Sequence, residues 1–259
     1  MIANLRKLSA SRGLLGNLIQ KELKVKYKSS FLGFFWSLLN PLLMMLVFTI
    51  VFSKVLVIFK IENYPAFLLC ALLPWNFLNL GLSSSVGCIV GNANLVKKTY
   101  FPREALPMSV VAAHFINFLL SLPILFVLLA IFGYRFYAYI PLLAVVIIFQ
   151  LIIVTGLAMI FSCANVFFRD VQHFTEIIML VWYFATPIFY PIEIVPARFQ
   201  FIYKLNPMAN FVNIYRDLLY YNRLPHLTPI LYVSLISVAL FIIGYIIFYR
   251  YEPVFAEEV

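Results

Sequence analysis

The chain has 259 residues, 64% of them hydrophobic and 11% charged, with a mean hydropathy of +0.99. Soluble domains carry about 25% charged residues, and a soluble core of this size could not hide so much apolar surface; an ordinary water-soluble domain is excluded. The formal charge of +9 argues for membrane placement and not for nucleic acid, because the basic residues cluster beside apolar runs.

In chain order, Gly13–Ser30 reads as an amphipathic interface helix. Leu15, Leu18, Ile19, Leu23 and Tyr27 share one face at helical spacing, and Lys21, Lys24 and Lys28 share the other. Glu22 and Lys26 fall within the apolar face, four apart and in the favourable order for an ion pair. The pattern suits a plain membrane anchor and equally a groove that also touches a partner. No cleavable leader is expected, since the first apolar run starts after Lys28, is too long and lacks a small-residue cleavage site.

A spanning helix needs roughly 20 mostly apolar residues. The runs predict six of them: Phe35–Ile58, Tyr64–Val90, Ala105–Phe132, Ile140–Phe167, the short Phe174–Phe189 and Thr228–Tyr249. The expected fold is therefore an all-α integral membrane protein in one transmembrane domain. Between the second and third runs lies a basic island, NANLVKKTYFPREALP, Asn92–Pro107. No charge occurs from Asn63 to Val96 or from Ala105 to Tyr134, so the island is a polar turn at one membrane face. Lys97 and Lys98 could simply enforce topology. Leu95, Val96, Tyr100 and Phe101, however, would be exposed in a plain loop, and apolar side chains among charges resemble a docking surface. Pro102 sets the angle of re-entry.

Twelve of the 19 basic residues fall on the side of the termini and the island, and seven on the other. The positive-inside rule then predicts cytoplasmic termini and a cytoplasmic island. On the opposite side, Tyr190–Leu227 is a long Pro-rich loop whose apolar stretches, such as Ala209–Tyr221, are too short to span and read as re-entrant or interfacial helices.

Smaller signals lie within this frame. Ser83, Gly87 and Gly91 recur every four residues and include a GxxxG, which permits close helix contact. FFRDV at Phe167–Val171 places Arg169 and Asp170 where they could pair, cap or form an inner-face hinge. Aromatic residues make up 18% of the chain. Trp182, Tyr183, Phe184, Phe189 and Tyr190 cluster toward the outer mouth, with Trp75 and Phe77 in the second span. Such rings suit sliding sugar faces, although a lipid-facing belt explains any single one. Cys70, Cys88 and Cys163 lie in apolar runs without CxxC spacing and read as inert core residues.

The absences are also informative. There is no GxxxxGK[ST] phosphate loop, no GxG and no HExxH, so no metal or cofactor is expected on this chain. No acidic residue sits in the middle of a span, which argues against an ion-coupled carrier. Energy must then come from another protein.

KELKVKYKSSFLGFFWSLLNP, Lys21–Pro41, resembles the start of permease subunits of polysaccharide-exporting ABC transporters: a basic interface helix followed by Tyr27, Ser29 or Ser30, Leu32-Gly33, Trp36 and Pro41. NANLVKKTYFPREALP resembles the coupling segment of that family. FFRDV, TPIFYP at Thr186–Pro191 and NPM at Asn206–Met208 fit it too, so the likeness runs in order through nearly the whole chain. The resemblance implies a homodimer in the inner (cytoplasmic) membrane, docked to two copies of a cytoplasmic ATP-binding subunit that holds ATP and Mg. It implies coupling through Lys21, Glu22, Lys24 and Lys28 and through Asn94, Leu95, Val96, Lys97, Lys98, Tyr100, Phe101, Pro102 and Arg103. The channel would form between the copies from spans one and five, Trp36 included, and the outer loop would shape its exit gate. The cargo would be a lipid-linked polysaccharide such as O-antigen. Two alternatives remain at this level: an ABC permease for a drug or smaller lipid, and a membrane-embedded transferase acting on polyprenyl substrates. The transferase would need an acidic or histidine cluster, for which Asp170, His173 and Glu176 are the local candidates.

Overall fold

The computed structural model describes residues 12–27, 33, 35–55, 61–98 and 101–259. Among these residues all regular structure is helical. The elements are α1 (Arg12–Tyr27), α2 (Phe35–Thr49, continued by a π-helical turn, Ile50–Val55), α3 (Tyr64–Val86), α4 (Ala93–Lys98), α5 (Ala105–Ile131), α6 (Ile140–Phe167), α7 (Val171–Phe184), α8 (Ala197–Leu205), α9 (Pro207–Leu219), α10 (Leu227–Tyr251) and α11 (Phe255–Glu258). Lys28 and Tyr100 lie outside the described residues.

Among the described residues, four helical segments are long and apolar enough to cross a membrane: Tyr64–Val86, Ala105–Ile131, Phe136–Phe167 and Leu227–Glu258. These correspond to the second, third, fourth and sixth expected spans, the second ending at Val86 and the third at Ile131 where the expected runs continued to Val90 and Phe132. The first expected span falls on α2 and its π turn, whose apolar stretch, Leu39–Ser53, is shorter than those four. The fifth, α7, is 14 residues, or about 21 Å at 1.5 Å per residue, and ends at Phe184 where the expected span continued to Phe189. Gly33 has φ +49, a left-handed conformation open to glycine at little cost. The turn there is closed by the Trp36 amide donating to the Gly33 carbonyl at 3.3 Å.

The bundle is built around α3, which packs on α2, α5, α6, α7 and α9. Its residues from Ala66 to Leu73 are almost wholly shielded, while α10 lies on the outside against α6. Polar groups inside the core are tied together. Gln150 on α6 donates to the Pro74 carbonyl at 2.7 Å, and the Tyr215 hydroxyl on α9 donates to the Gln150 carbonyl oxygen at 2.7 Å. Bonds of this kind hold helices together where lipid supplies no hydrophobic drive. Cys70, Cys88 and Cys163 are buried free thiols, as their apolar surroundings imply.

Close helix contact does not use the GxxxG. A side chain at Gly91 would meet nothing within 4 Å, and one at Gly87 would meet only the Gln172 side chain at 3.8 Å. The crossing of α6 and α10 uses Gly156 and Gly244 instead. A Cβ at Gly156 would approach the backbone of Leu240 and Phe241 to 2.7 Å, and one at Gly244 would press into the Gly156 backbone. Gly244→Leu should therefore separate the two helices and cost upwards of about 1–3 kcal/mol, as overpacking does. Gly91→Leu should be tolerated. Thermal unfolding of both variants in detergent checks the contrast.

Candidate functional site

At the island face the chain leaves α3 through a single 3-10 turn, Val90–Asn92, and enters the six-residue α4. Val96 is 1% exposed and packs in an apolar cluster with Leu18 of α1, Leu106 and Val110 of α5, and Phe248 and Phe255 near the C-terminus. The island is therefore anchored from three directions. Lys21 of α1 donates to the Asn92 side-chain oxygen at 2.6 Å, and the Asn92 side-chain nitrogen donates to the Cys88 carbonyl at 2.7 Å. The Arg103 guanidinium donates to the Glu252 carbonyl, and the Arg103 amide donates to the Glu252 carboxylate at 3.3 Å. Phe255 packs edge-on against Phe248 at 5.1 Å.

Of the residues expected to receive a partner, Asn94, Lys97 and Lys98 are exposed. Leu95, Phe101, Pro102 and Arg103 are half-buried, and Val96 is core. On α1, Lys24 is exposed and Glu22 is half-buried, so the apolar stripe of this helix meets α5 and the island of its own chain. Arg169 and Asp170 are exposed and form no ion pair with each other among the described residues, and the Asp170 side chain does not cap α7. The hinge idea rests on the turn they occupy, not on a bond between them. No cluster of His, Cys, Asp or Glu suited to a metal occurs among the described residues.

Glu104, which opens α5, is buried, and its carboxyl is pushed above the ordinary value first by loss of water and further by the nearby Glu252 charge. A raised folded-state value means that the folded protein binds the proton more tightly than the unfolded chain, so this group's contribution is lost as pH rises through that value. Glu104→Gln should raise the melting temperature at pH 8 by about 2–4 °C for each kcal/mol removed. The gain should shrink toward pH 4. A scan of Tm against pH for both proteins checks the sign.

The opposite face is organised by one of the seven basic residues on that side of the charge count, Arg216. Arg216 of α9 is 2% exposed. Its guanidinium donates to the carbonyls of Pro187 at 2.6 Å, Ile188 at 2.7 Å, Tyr190 at 3.3 Å and Phe67 at 3.4 Å, and lies 3.6 Å above the Phe67 ring. Burial lowers its pKa to about 10, so it stays charged at neutral pH. The bend Thr186–Tyr190 that follows α7 is thus held by Arg216 of α9 and, through the Tyr190–Tyr203 hydroxyl contact, by α8, two short helices within the expected long loop. Asn206 between them caps α9 by accepting from the amides of Met208 and Ala209, donates to the Ala185 carbonyl at 3.0 Å and accepts from the Trp182 indole at 2.8 Å.

Three of the seven aromatic residues of the outer group belong to the core of the chain. Trp75 and Phe189 are buried, with Trp75 against Trp182 and Tyr183, and Phe189 against Phe48, Phe52 and Tyr183. Phe77 is also buried, stacked on Phe118 at 5.3 Å and away from that group. Rings packed this way hold α2, α3 and α7 together and cannot slide along a polymer in this arrangement. Trp182, Tyr183 and Tyr190 are half-buried, and the Tyr190 hydroxyl is 2.6 Å from that of Tyr203. Trp36 and Phe184 present open faces. The signal for Arg216 was available: it interrupts an apolar helical stripe, Phe211, Val212, Tyr215, Leu218 and Leu219, that is buried throughout.

Comparison with known proteins supplies an independent line. The sequence pattern of the family described as ABC-2 type transporter matches residues 14–220. The chain is 37% identical over 262 residues to an O-antigen export system permease protein of Myxococcus xanthus, covering 100% of both chains. It is 35% identical to a protein of the same name from Klebsiella pneumoniae, covering 94% of each. It is 23% identical to a polysialic acid transport protein of Escherichia coli, covering 77% of this chain and 78% of the relative.

Proposed function

This chain belongs to the ABC-2 type transporter family, and we propose that it is the permease subunit of an exporter for lipid-linked polysaccharide of the O-antigen kind. Its full-length likeness to named O-antigen permeases carries the substrate class. The anchored island supports the coupling role: α4 is fixed to α1, α5 and the C-terminal turn, yet leaves Asn94, Lys97 and Lys98 exposed. A push on that surface would be transmitted and not absorbed by a loose loop. The partner is a separate cytoplasmic ATPase, two copies per transporter, which carries ATP and Mg.

The chain crosses the inner membrane six times with both termini in the cytoplasm, counting α2 with its π turn and the short α7 among the crossings. Two copies form the transporter. Both α2 and α7 leave apolar faces open, including Phe35, Leu46, Val47, Ile177, Val181 and Phe184, and these faces suit contact with a second copy and the channel between copies. α8 and α9 form the exit side.

The test is removal of the chain from its native cell. Surface polysaccharide should be lost, and lipid-linked polymer should accumulate on the inner side of the membrane. Restoration should require this chain and an active ATPase together. Unchanged surface polymer after removal would overturn the reading. Export of a small lipid or drug in its place would favour the other kind of ABC permease.

A further inference from the structure

A second site lies among α2, α3 and α5, away from both the coupling surface and the outer bend. A cavity of about 220 Å³ is lined by Trp36 and Asn40, by Asn76 on α3, and by His114, Asn117 and Phe118 on α5. Asn76 and His114 are half-buried and Asn117 is buried, and polar side chains within apolar membrane helices are costly and commonly functional. We propose that this cavity seats one neutral, hydroxyl-rich ring, a single sugar unit carried on a lipid, on the reading of the chain as a polysaccharide exporter.

The lining chemistry selects the ligand class. It contains no Lys, Arg, Asp or Glu, so nothing there matches a phosphate or carboxylate, which call for cationic partners. Side-chain amides each offer donors and an acceptor, as neighbouring hydroxyls require. Asn40 and Asn76 have no side-chain hydrogen bond among the described residues. His114 is oriented by Ser84 at 3.0 Å. Trp36 is 47% exposed and can cover the apolar face of a ring, while the Phe77–Phe118 stack forms a rigid wall. The volume is below the roughly 300–1,000 Å³ of pockets for drug-sized ligands, so it holds one ring and not a stretch of polymer. Amides that served only to bind helices to each other would pair across the helix contacts and leave no cavity between them.

The test uses the full chain in lipid nanodiscs and a dodecyl glucoside with a diazirine on the sugar. Illumination should label peptides of α2, α3 or α5 that line the cavity. Excess dodecyl glucoside should reduce labelling at least fivefold, and dodecylphosphocholine at the same concentration should not. Asn117→Leu should lower labelling at least fivefold. Asn40→Leu, an exposed position that folding does not depend on, should lower it about threefold with unchanged Tm. Labelling outside the cavity, equal competition by phosphocholine, or full labelling in a folded Asn40→Leu protein would overturn the seat. Sugar-specific labelling combined with normal surface polymer after removal of the chain would keep the seat and overturn the exporter.

Discussion

Arg216→Ala should remove the folded protein from the membrane fraction, with a loss on the order of 3–5 kcal/mol, the range for breaking a buried charged network. The guanidinium reaches carbonyls at Pro187, Ile188, Tyr190 and Phe67 and rests on the Phe67 ring. Pro187 and Ile188 belong to a bend outside any helix, so truncation leaves their oxygens without a donor in a shielded site. Each such orphan costs about 1–3 kcal/mol. Lysine does not rescue the site, since an ammonium is a point donor without the planar fork that reaches several carbonyls at once. Arg216→Lys should therefore be markedly destabilised but charged, and Arg216→Met should show the same loosened bend without a buried charge. Fluorescence-detected gel filtration and Tm in detergent read all three. A monodisperse Arg216→Ala protein melting within about 2 °C of the parent would refute this account.

Lys97→Glu with Lys98→Glu should lower polysaccharide export at least about tenfold while insertion and Tm stay near those of the parent. Both side chains are exposed at the end of α4, and a reversed charge across an interface opposes docking. Val96→Asp makes a different kind of damage. It places a carboxylate in the cluster of Leu18, Leu106, Val110 and Phe255, so it should loosen α4 and lower stability along with export. Measuring ATPase stimulation, export and Tm on the same preparations separates the two. Normal export by the double charge reversal in a properly folded protein would remove the coupling surface from this face.

The two experiments differ because of what a one-dimensional reading can and cannot register. The island was legible as an interruption between uncharged runs, and its apolar residues were legible as buried against something. Whether that something was a partner or the same chain was not. Leu18, Val96 and Phe255 are brought together from distant segments, so no spacing rule links them. The same holds for Arg103 and Glu252, which are 149 positions apart. The outer aromatics show the converse error. The rings were read as one group suited to sugar faces, yet Trp75, Phe77 and Phe189 are interior, because α7 closes on Trp75, α2 and α7 close on Phe189, and Phe118 of α5 stacks on Phe77.

Run length and charge placement settled that this chain is a helical membrane protein, along with the order of its long helices and the position of its island, since a bilayer demands about 20 apolar residues per crossing and penalises charge. These are properties a segment has by itself. Which faces meet was decided by the packed bundle. A helix that is apolar nearly all round has no polar face from which to infer its inward side, so the Gly156–Gly244 contact, the Arg216 clasp and the polar cavity on α2, α3 and α5 emerge only when the helices are set against one another.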